Sequence, residues 1–369
     1  MLQCNDGHGK PSPHQAVCEP IAHVPHPANI TSLGFDALCT WTYPSVTEQQ
    51  QALILRKCGL DSSDHTNQQT YVYSRLGQSW YYIYFTEVFD SDNLPKVKQF
   101  ALVLWTKDFN PEKYETLCRI LSKTYCKTGN PVAMLTLYLS VATRGVCTTE
   151  ENGTFLARDF DSSKNFTNTH VKELLNTFGL ESILIYTALL LKKRIIVYHH
   201  SLDALLKAVR SFPAFMLHRK GWDCLFPWTD LYPNEVLDLK SNTSYIAGCR
   251  EAIIESRSDL YDVLVHLPAR EITIAPHAKE SMVMTKSHKE IALFLVQLSE
   301  NTSLGEQQII RAIADKTADL LAQLRSLATT QTSEGKAMVS IETLRGRALT
   351  PALENFLFNL AVAENMMML

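Results

Sequence analysis

The chain has 369 residues, 46% of them hydrophobic and 20% charged, with a formal net charge of -3 at pH 7. That length sets an expectation of about two domains, and the near-neutral balance offers no clustered basic surface of the kind that neutralises nucleic-acid phosphates. The short basic runs at 192–194 and 218–220 read as a solvated helix end and a loop rather than as phosphate or lipid-headgroup sites.

Residues 1–27 hold five prolines, four histidines and two cysteines in polar surroundings. So little apolar area cannot offset the entropy of ordering, and 1–29 is expected to be a disordered tail. Cys4 with His8 and His14 with Cys18 have a helical ligand spacing, but Gly7, Gly9, Pro11 and Pro13 disfavour the helix, so no metal is expected there. Gly7-His8-Gly9-Lys10 has neither the Ser or Thr that should follow a phosphate loop nor the strand that should precede it. The nine cysteines form no CxxC pair and follow no apolar leader, so free thiols are expected. The sequons beginning at Asn29, Asn152, Asn165, Asn242 and Asn301 read as chance matches.

Residues 30–146 read as a first lobe. A strand is expected at 35–42, with Trp41 and Tyr43 on one face and Pro44 ending it; each aromatic is weighed as core or as a partner contact. A helix follows at 48–58 with Leu53 and Ile54 inward, then a hairpin of 71–76 and 79–87 turning at Gly77-Gln78. A strand at 100–105 and helices at 111–127 and 132–146 complete this lobe. Residues 147–169 are rich in Thr, Asn, Asp and Ser without clean periodicity and read as a linker.

The second lobe is expected at 170–369. Residues 179–191 are apolar on nearly every face and read as a buried helix, closed by Lys192, Lys193 and Arg194 and feeding the β-branched strand 194–198. The apolar run 183–191 is far below the ~20 residues of a membrane span. Strands are expected within 263–275 and amphipathic helices at 277–300, 305–328 and 351–368; Ile309, Ile310, Ile313, Leu320, Leu321 and Leu324 read as a core stripe rather than a groove for a partner helix. His199 and His200 end a strand with no nucleophile beside them, and there is no G-x-S-x-G elbow, H-E-x-x-H or dinucleotide turn. A hydrolase using Cys224 or His218 is the weakest reading.

Several segments in order carry a resemblance: FALVLWTKDFNPEKY from Phe100, EENGTFLARDFD from Glu150, the KKRIIVY strand, the P-A-F-x-x-H-R-x-x-W loop from Pro213, TSYIAG, and LYDVLVHLPAREITIA from Leu260. Together they resemble the DENN domain family over roughly residues 41–369. The resemblance implies an α/β (α+β) bilobal fold: an N-terminal longin-like antiparallel sheet with helices, and a C-terminal α/β lobe ending in helices. It implies a guanine-nucleotide exchange factor for Rab GTPases, including secretory Rabs of the twenty-seven type, with no cofactor, no covalent chemistry and a cytoplasmic protein recruited to late endosomes. The alternative it implies is a non-catalytic subunit of the Commander endosomal recycling complex, docked on coiled-coil proteins. Glu150, Glu151, Arg158, Asp159, Phe160 and Asp161 are the candidate Rab contacts, acidic groups for switch-region cations and Phe160 as apolar anchor, with Trp41 and Tyr43 as candidates for the coiled-coil partner. Family members begin with an apolar strand before W-x-Y-P, a pattern residues 1–27 lack, so an open sheet edge is expected.

Overall fold

The computed structural model describes residues 39–59, 69–89, 92–94, 97–161, 166–219, 221–332 and 335–368, together with the backbone of 17–20. The chain divides into two compact units, Met1–Tyr73 with Gln78–Asn165, and Ser74–Gly77 with Phe166–Leu369.

The first unit opens with β1 (Val17–Pro20), a departure from the tail expected there: it pairs antiparallel with β4 in the register Val17 to Trp105 through Pro20 to Leu102. It therefore occupies the edge expected to be open. Cys4, His8 and His14 lie outside the described residues. The expected strand at 35–42 is not found over its described part: residues 39–42 are non-strand and 35–38 are outside the described set. Helix α1 (Glu48–Cys58) starts at a capping box in which Thr47 accepts from the Gln50 amide and Gln50 from that of Thr47, and ends at left-handed Gly59. β2 (Tyr71–Leu76) and β3 (Ser79–Glu87) turn at Gly77, φ 57°. With β4 (Gln99–Thr106) the sheet order is β1-β4-β3-β2.

After β4 the chain turns a corner that several polar groups hold. The buried Tyr82 hydroxyl donates to the Asp108 carbonyl at 3.0 Å and accepts from the Asn110 amide at 2.9 Å, while the Tyr114 hydroxyl bonds the Asp108 carboxylate. Burial pushes both phenols well above their ordinary range, so they remain neutral donors. Asn110 then caps α2 (Pro111–Thr128), which packs on β3 and β4; α3 (Pro131–Arg144) packs on α2. α3 stops two residues before the expected 146 because Gly145 adopts φ 72° and its N–H closes onto Val141.

Within the segment read as a linker, β5 (Val146–Thr149) and β6 (Gly153–Leu156) form a small hairpin against α3.

The second unit begins with α4 (Val171–Phe178) and, after a 3₁₀ turn at Gly179–Glu181, α5 (Ser182–Leu190). The stretch Val171–Leu190 has a window of mean hydropathy 1.2, but the turn at Gly179 breaks it and 61% of that window is buried, as core helices are. α5 ends with Lys192 in the left-handed region, φ 50°, its N–H on Leu189 and that of Lys193 on Ala188. β7 (Arg194–Tyr198) follows, with Ile195, Ile196 and Val197 at 0–1% exposure, each contributing ~1.5–3 kcal/mol by burial.

The expected Pro-marked loops after β7 contain two helices, α6 (Leu202–Ser211) and α7 (Pro233–Lys240), with β8 (Leu225–Phe226) between them and β9 (Tyr245–Cys249) after. β10 (Val263–His266) and β11 (Glu271–Ile274) complete a sheet of order β11-β10-β7-β9-β8, parallel except at β11. The glycine of the Y-I-A-G segment has a steric reason: a Cβ on Gly248 would stand 2.2 Å from the Pro227 carbonyl oxygen.

Helix α8 spans Lys286–Glu300 rather than 277–300, since 3₁₀ turns at Pro276–Ala278 and Glu280–Met282 come first and Thr285 supplies its cap. On α9 (Glu306–Ser326) Ile309, Ile310, Ile313, Leu321 and Leu324 are buried, so the stripe is core, and Thr317 meets the buried Tyr186 hydroxyl at 2.9 Å. The short pair β12 (Thr330–Gln331) and β13 (Ala337–Met338), then α10 (Ile341–Arg345) and α11 (Pro351–Ala363), close the unit. α4 has no cap of its own. The Glu306 carboxylate provides one, accepting from the amides of Val171 and Lys172.

Candidate functional site

The acidic and aromatic candidates gather on the hairpin that follows α3 and on the turn after it. The Ala157 N–H donates to the Gly145 carbonyl at 2.7 Å, Thr148 and Thr154 hydroxyls meet across the strands at 3.1 Å, and Gly153 supplies the positive φ of the turn. This geometry puts Glu150 and Glu151 at the tip, both exposed, with Lys127 Nζ 3.6 Å and 3.3 Å from their carboxylates. The hydrogen bond to Glu151 is the main cause raising the Lys127 ammonium above its ordinary range. Such an exposed pair remains in reach of solvent and stabilises little, leaving the tip available to a cationic partner.

Phe160 is held differently. Its ring is half-buried and stacks on Phe155 at 5.3 Å, and its carbonyl accepts from Asn110 Nδ2 at 3.0 Å. Asn110 also caps α2 with its side-chain oxygen, so one buried amide fixes both a helix start and the position of Phe160. Arg158, Asp159 and Asp161 around it are exposed, on a 3₁₀ turn and just beyond. Trp41 and Tyr43 form a separate pair, rings stacked at 6.4 Å and 15°, with Tyr43 41% exposed and Trp41 half-buried. Among the described residues, Lys127 joins Glu150 to Glu151, and Phe160 contacts Phe155 and Asn110. Lys127, Phe155 and Asn110 were not among the expected site residues; Asn110 before Pro111 carried a cap signal, while nothing local marked Lys127.

The residues considered for covalent chemistry have other roles. His218 and Arg219 both reach the Glu364 carboxylate, His218 at 3.2 Å, and these partners hold Glu364 down at about 2 against the opposing effect of burial. Burial pushes the Cys224 thiol up, away from thiolate. His199 stacks on His200, and its Nδ1 accepts from the Ser201 amide at 2.8 Å. Among the described residues no group of three or more His, Cys, Asp or Glu side chains could hold a metal ion.

The chain is 42% identical over 332 residues to DENN domain-containing protein 10 of Mus musculus, covering 90% of this chain and 93% of that protein. The chain belongs to the DENN domain-containing protein 10 family. The same-named protein of Danio rerio is 42% identical, with 94% of it covered, and that of Dictyostelium discoideum is 34% identical over 346 residues. The family model described as Stabilization of polarity axis matches residues 168–276, the span from just before α4 to just after β11. In this member of the DENN domain-containing protein 10 family, the α/β fold with an antiparallel first sheet is the one the resemblance implied.

Proposed function

We propose that the protein is a guanine-nucleotide exchange factor for Rab GTPases in late endosomal trafficking and secretion. Similarity to DENN domain-containing protein 10 over 90% of the chain carries this reading. Exchange requires no bond-making residue on the factor: it favours the nucleotide-free Rab by binding that state more tightly than the GDP-bound one. An exposed acidic tip at Glu150 and Glu151 suits basic switch-region side chains, and Phe160, fixed from behind by Asn110, suits an apolar anchor at low ordering cost. The test is GDP release from a Rab panel, secretory Rabs of the twenty-seven type included. Catalytic amounts of protein accelerate release from at least one late-endosomal or secretory Rab, and the charge reversals Arg158→Glu with Asp161→Arg remove most of that. Unchanged release across the panel with folded protein would reject it.

A second reading is a non-catalytic subunit of the Commander complex docked on coiled-coil proteins. The outward face of α3 favours it: Val132 is 60% and Leu139 37% exposed, and between them the exposed Thr136 donates its hydroxyl to the Val132 carbonyl. Such an uncharged helical stripe suits a helix. Under this reading Tyr43→Lys abolishes co-purification with Commander coiled-coil subunits while the melt stays within a few degrees; a collapsed melt would assign Tyr43 to the core instead.

A further inference from the structure

Beneath the end of α5, at the amino ends of β7 and β9, the second unit has a half-open pocket of about 110 Å³. Leu189, Pro213, Met216, Cys224, Tyr245 and Ile246 make its walls apolar. Lys192, Lys193 and Ser244 stand at the same cavity, and among the described residues none of these three side chains has a hydrogen-bond or ion-pair partner.

The carboxylates that could have paired with the lysines are already engaged. Glu364 lies against Arg219 and His218; Asp262 accepts from Arg194 at 2.8 Å and faces His277 at 2.9 Å. Arg219 itself is saturated by Glu364 and the carbonyls of Leu189 and Leu190. Lys192, exposed at the rim, and the half-buried Lys193 thus stand at an apolar pocket with the nearby carboxylates Glu364 and Asp262 already hydrogen-bonded elsewhere. Desolvation lowers both below the usual lysine range; for Lys192 the positive charges of Arg219 and Lys336 push the same way while Glu364 opposes, and for Lys193 Asp262 opposes while Arg194 adds to the lowering. An incoming anion reverses that unfavourable balance.

The backbone adds an independent observation. Lys192 occupies the left-handed position after a helix that glycine fills without strain, and among the described residues its ammonium has no hydrogen-bond or ion-pair partner. A ligand contact supplies a reason.

We propose that this cavity binds a small organic carboxylate with a short branched aliphatic tail, the carboxylate received by Lys192, Lys193 and the Ser244 hydroxyl. The tail is short because the pocket, about 110 Å³ and open to solvent on one side, admits only a few carbons. The site is independent of Rab exchange.

The probe is 4-methylpentanoate, titrated into the full chain by calorimetry, with acetate and 4-methylpentanamide as controls. Binding is expected to be saturable for 4-methylpentanoate, and roughly tenfold weaker or worse for acetate, which lacks the tail, and for the amide, which lacks the charge. Lys192→Gly and Lys193→Gln each weaken it roughly tenfold. Because glycine relieves the positive φ, Lys192→Gly melts no lower than the parent, which separates lost binding from lost folding. Bound 4-methylpentanoate also slows methyl methanethiosulfonate labelling of Cys224, read by peptide mass spectrometry. Equal affinity for the amide, parent-like affinity in both lysine variants, or unprotected Cys224 would each overturn the proposal.

Discussion

Replacing Asn110 with alanine removes two hydrogen bonds from a residue only 5% exposed: the cap on the Lys113 amide at 3.2 Å and the bond to the Phe160 carbonyl at 3.0 Å. Loss of an Asn cap costs about 1 kcal/mol. A buried neutral hydrogen bond contributes about another 1 kcal/mol, and the Phe160 carbonyl can turn to water when released. The sum, about 2 kcal/mol, corresponds to about 4–8 °C for a unit of this size. Asn110→Ser separates the two parts, since serine caps nearly as well but cannot reach Phe160, so it costs about half as much. Urea and thermal denaturation of the three proteins measure the ladder, and Rab exchange measured alongside reports whether a loosened Phe160 matters to the partner. If alanine and serine variants are equally stable, the cap is not contributing; if both match the parent, the account of this corner is wrong.

Acid provides a second test. His288 is buried in the cap of α8 and burial lowers it to about 4, so the unfolded chain takes up its proton first as pH falls from 6.5. Its contribution is intact above pH 6.5 and lost on the way down to about 4, on the order of 3 kcal/mol. His288→Gln keeps a capping-box acceptor and should flatten that part of a melting-temperature profile; an unchanged acid slope would contradict it. Glu364→Gln leaves Arg219 and His218 without a carboxylate, so a loss of about 2–4 kcal/mol is expected in urea titrations, and parent-like stability would show the cluster to be neutral. Gly248→Ala drives a Cβ into the Pro227 carbonyl and should leave little folded protein in circular dichroism and gel filtration.

Where local chemistry is self-contained, the fold was legible. The Gly77-Gln78 turn between alternating strands located β2 and β3, and Pro111 at the first helical position located the start of α2. The hairpin of β5 and β6 was not legible, because four-residue strands (Val-Cys-Thr-Thr and Gly-Thr-Phe-Leu) are too short to show periodicity and depend on packing against α3. β1 lay in a segment whose composition argued against order, and its backbone pairing with β4 asks little of side-chain composition. Helices α6 and α7 escaped because prolines nearby read as loop punctuation, though Pro233 sits at the first turn of α7, where proline is tolerated. At the candidate site the residue types were readable but their neighbours were not. Lys127 reaches Glu150 and Glu151 from the end of α2, and Asn110 reaches Phe160 across 50 positions.

The carboxylate of Glu306 has a consequence for biosynthesis. Val171 bonds to it across 135 positions, so the amide groups that begin α4 have no protein acceptor until the start of α9 has been synthesised. At roughly 5–20 residues per second, that interval is about 7–27 s. During it, the start of α4 is still bonded to water, and of the two helices on which α4 packs most, α8 appears only near the end of the interval and α9 not until it is over. The five-stranded sheet, complete by Ile274, can pair before then, but α4 cannot finish docking. That docking waits on the later third of the second unit, and a nascent chain arrested before residue 306 would present α4 and α5 to chaperones rather than to each other's final partners.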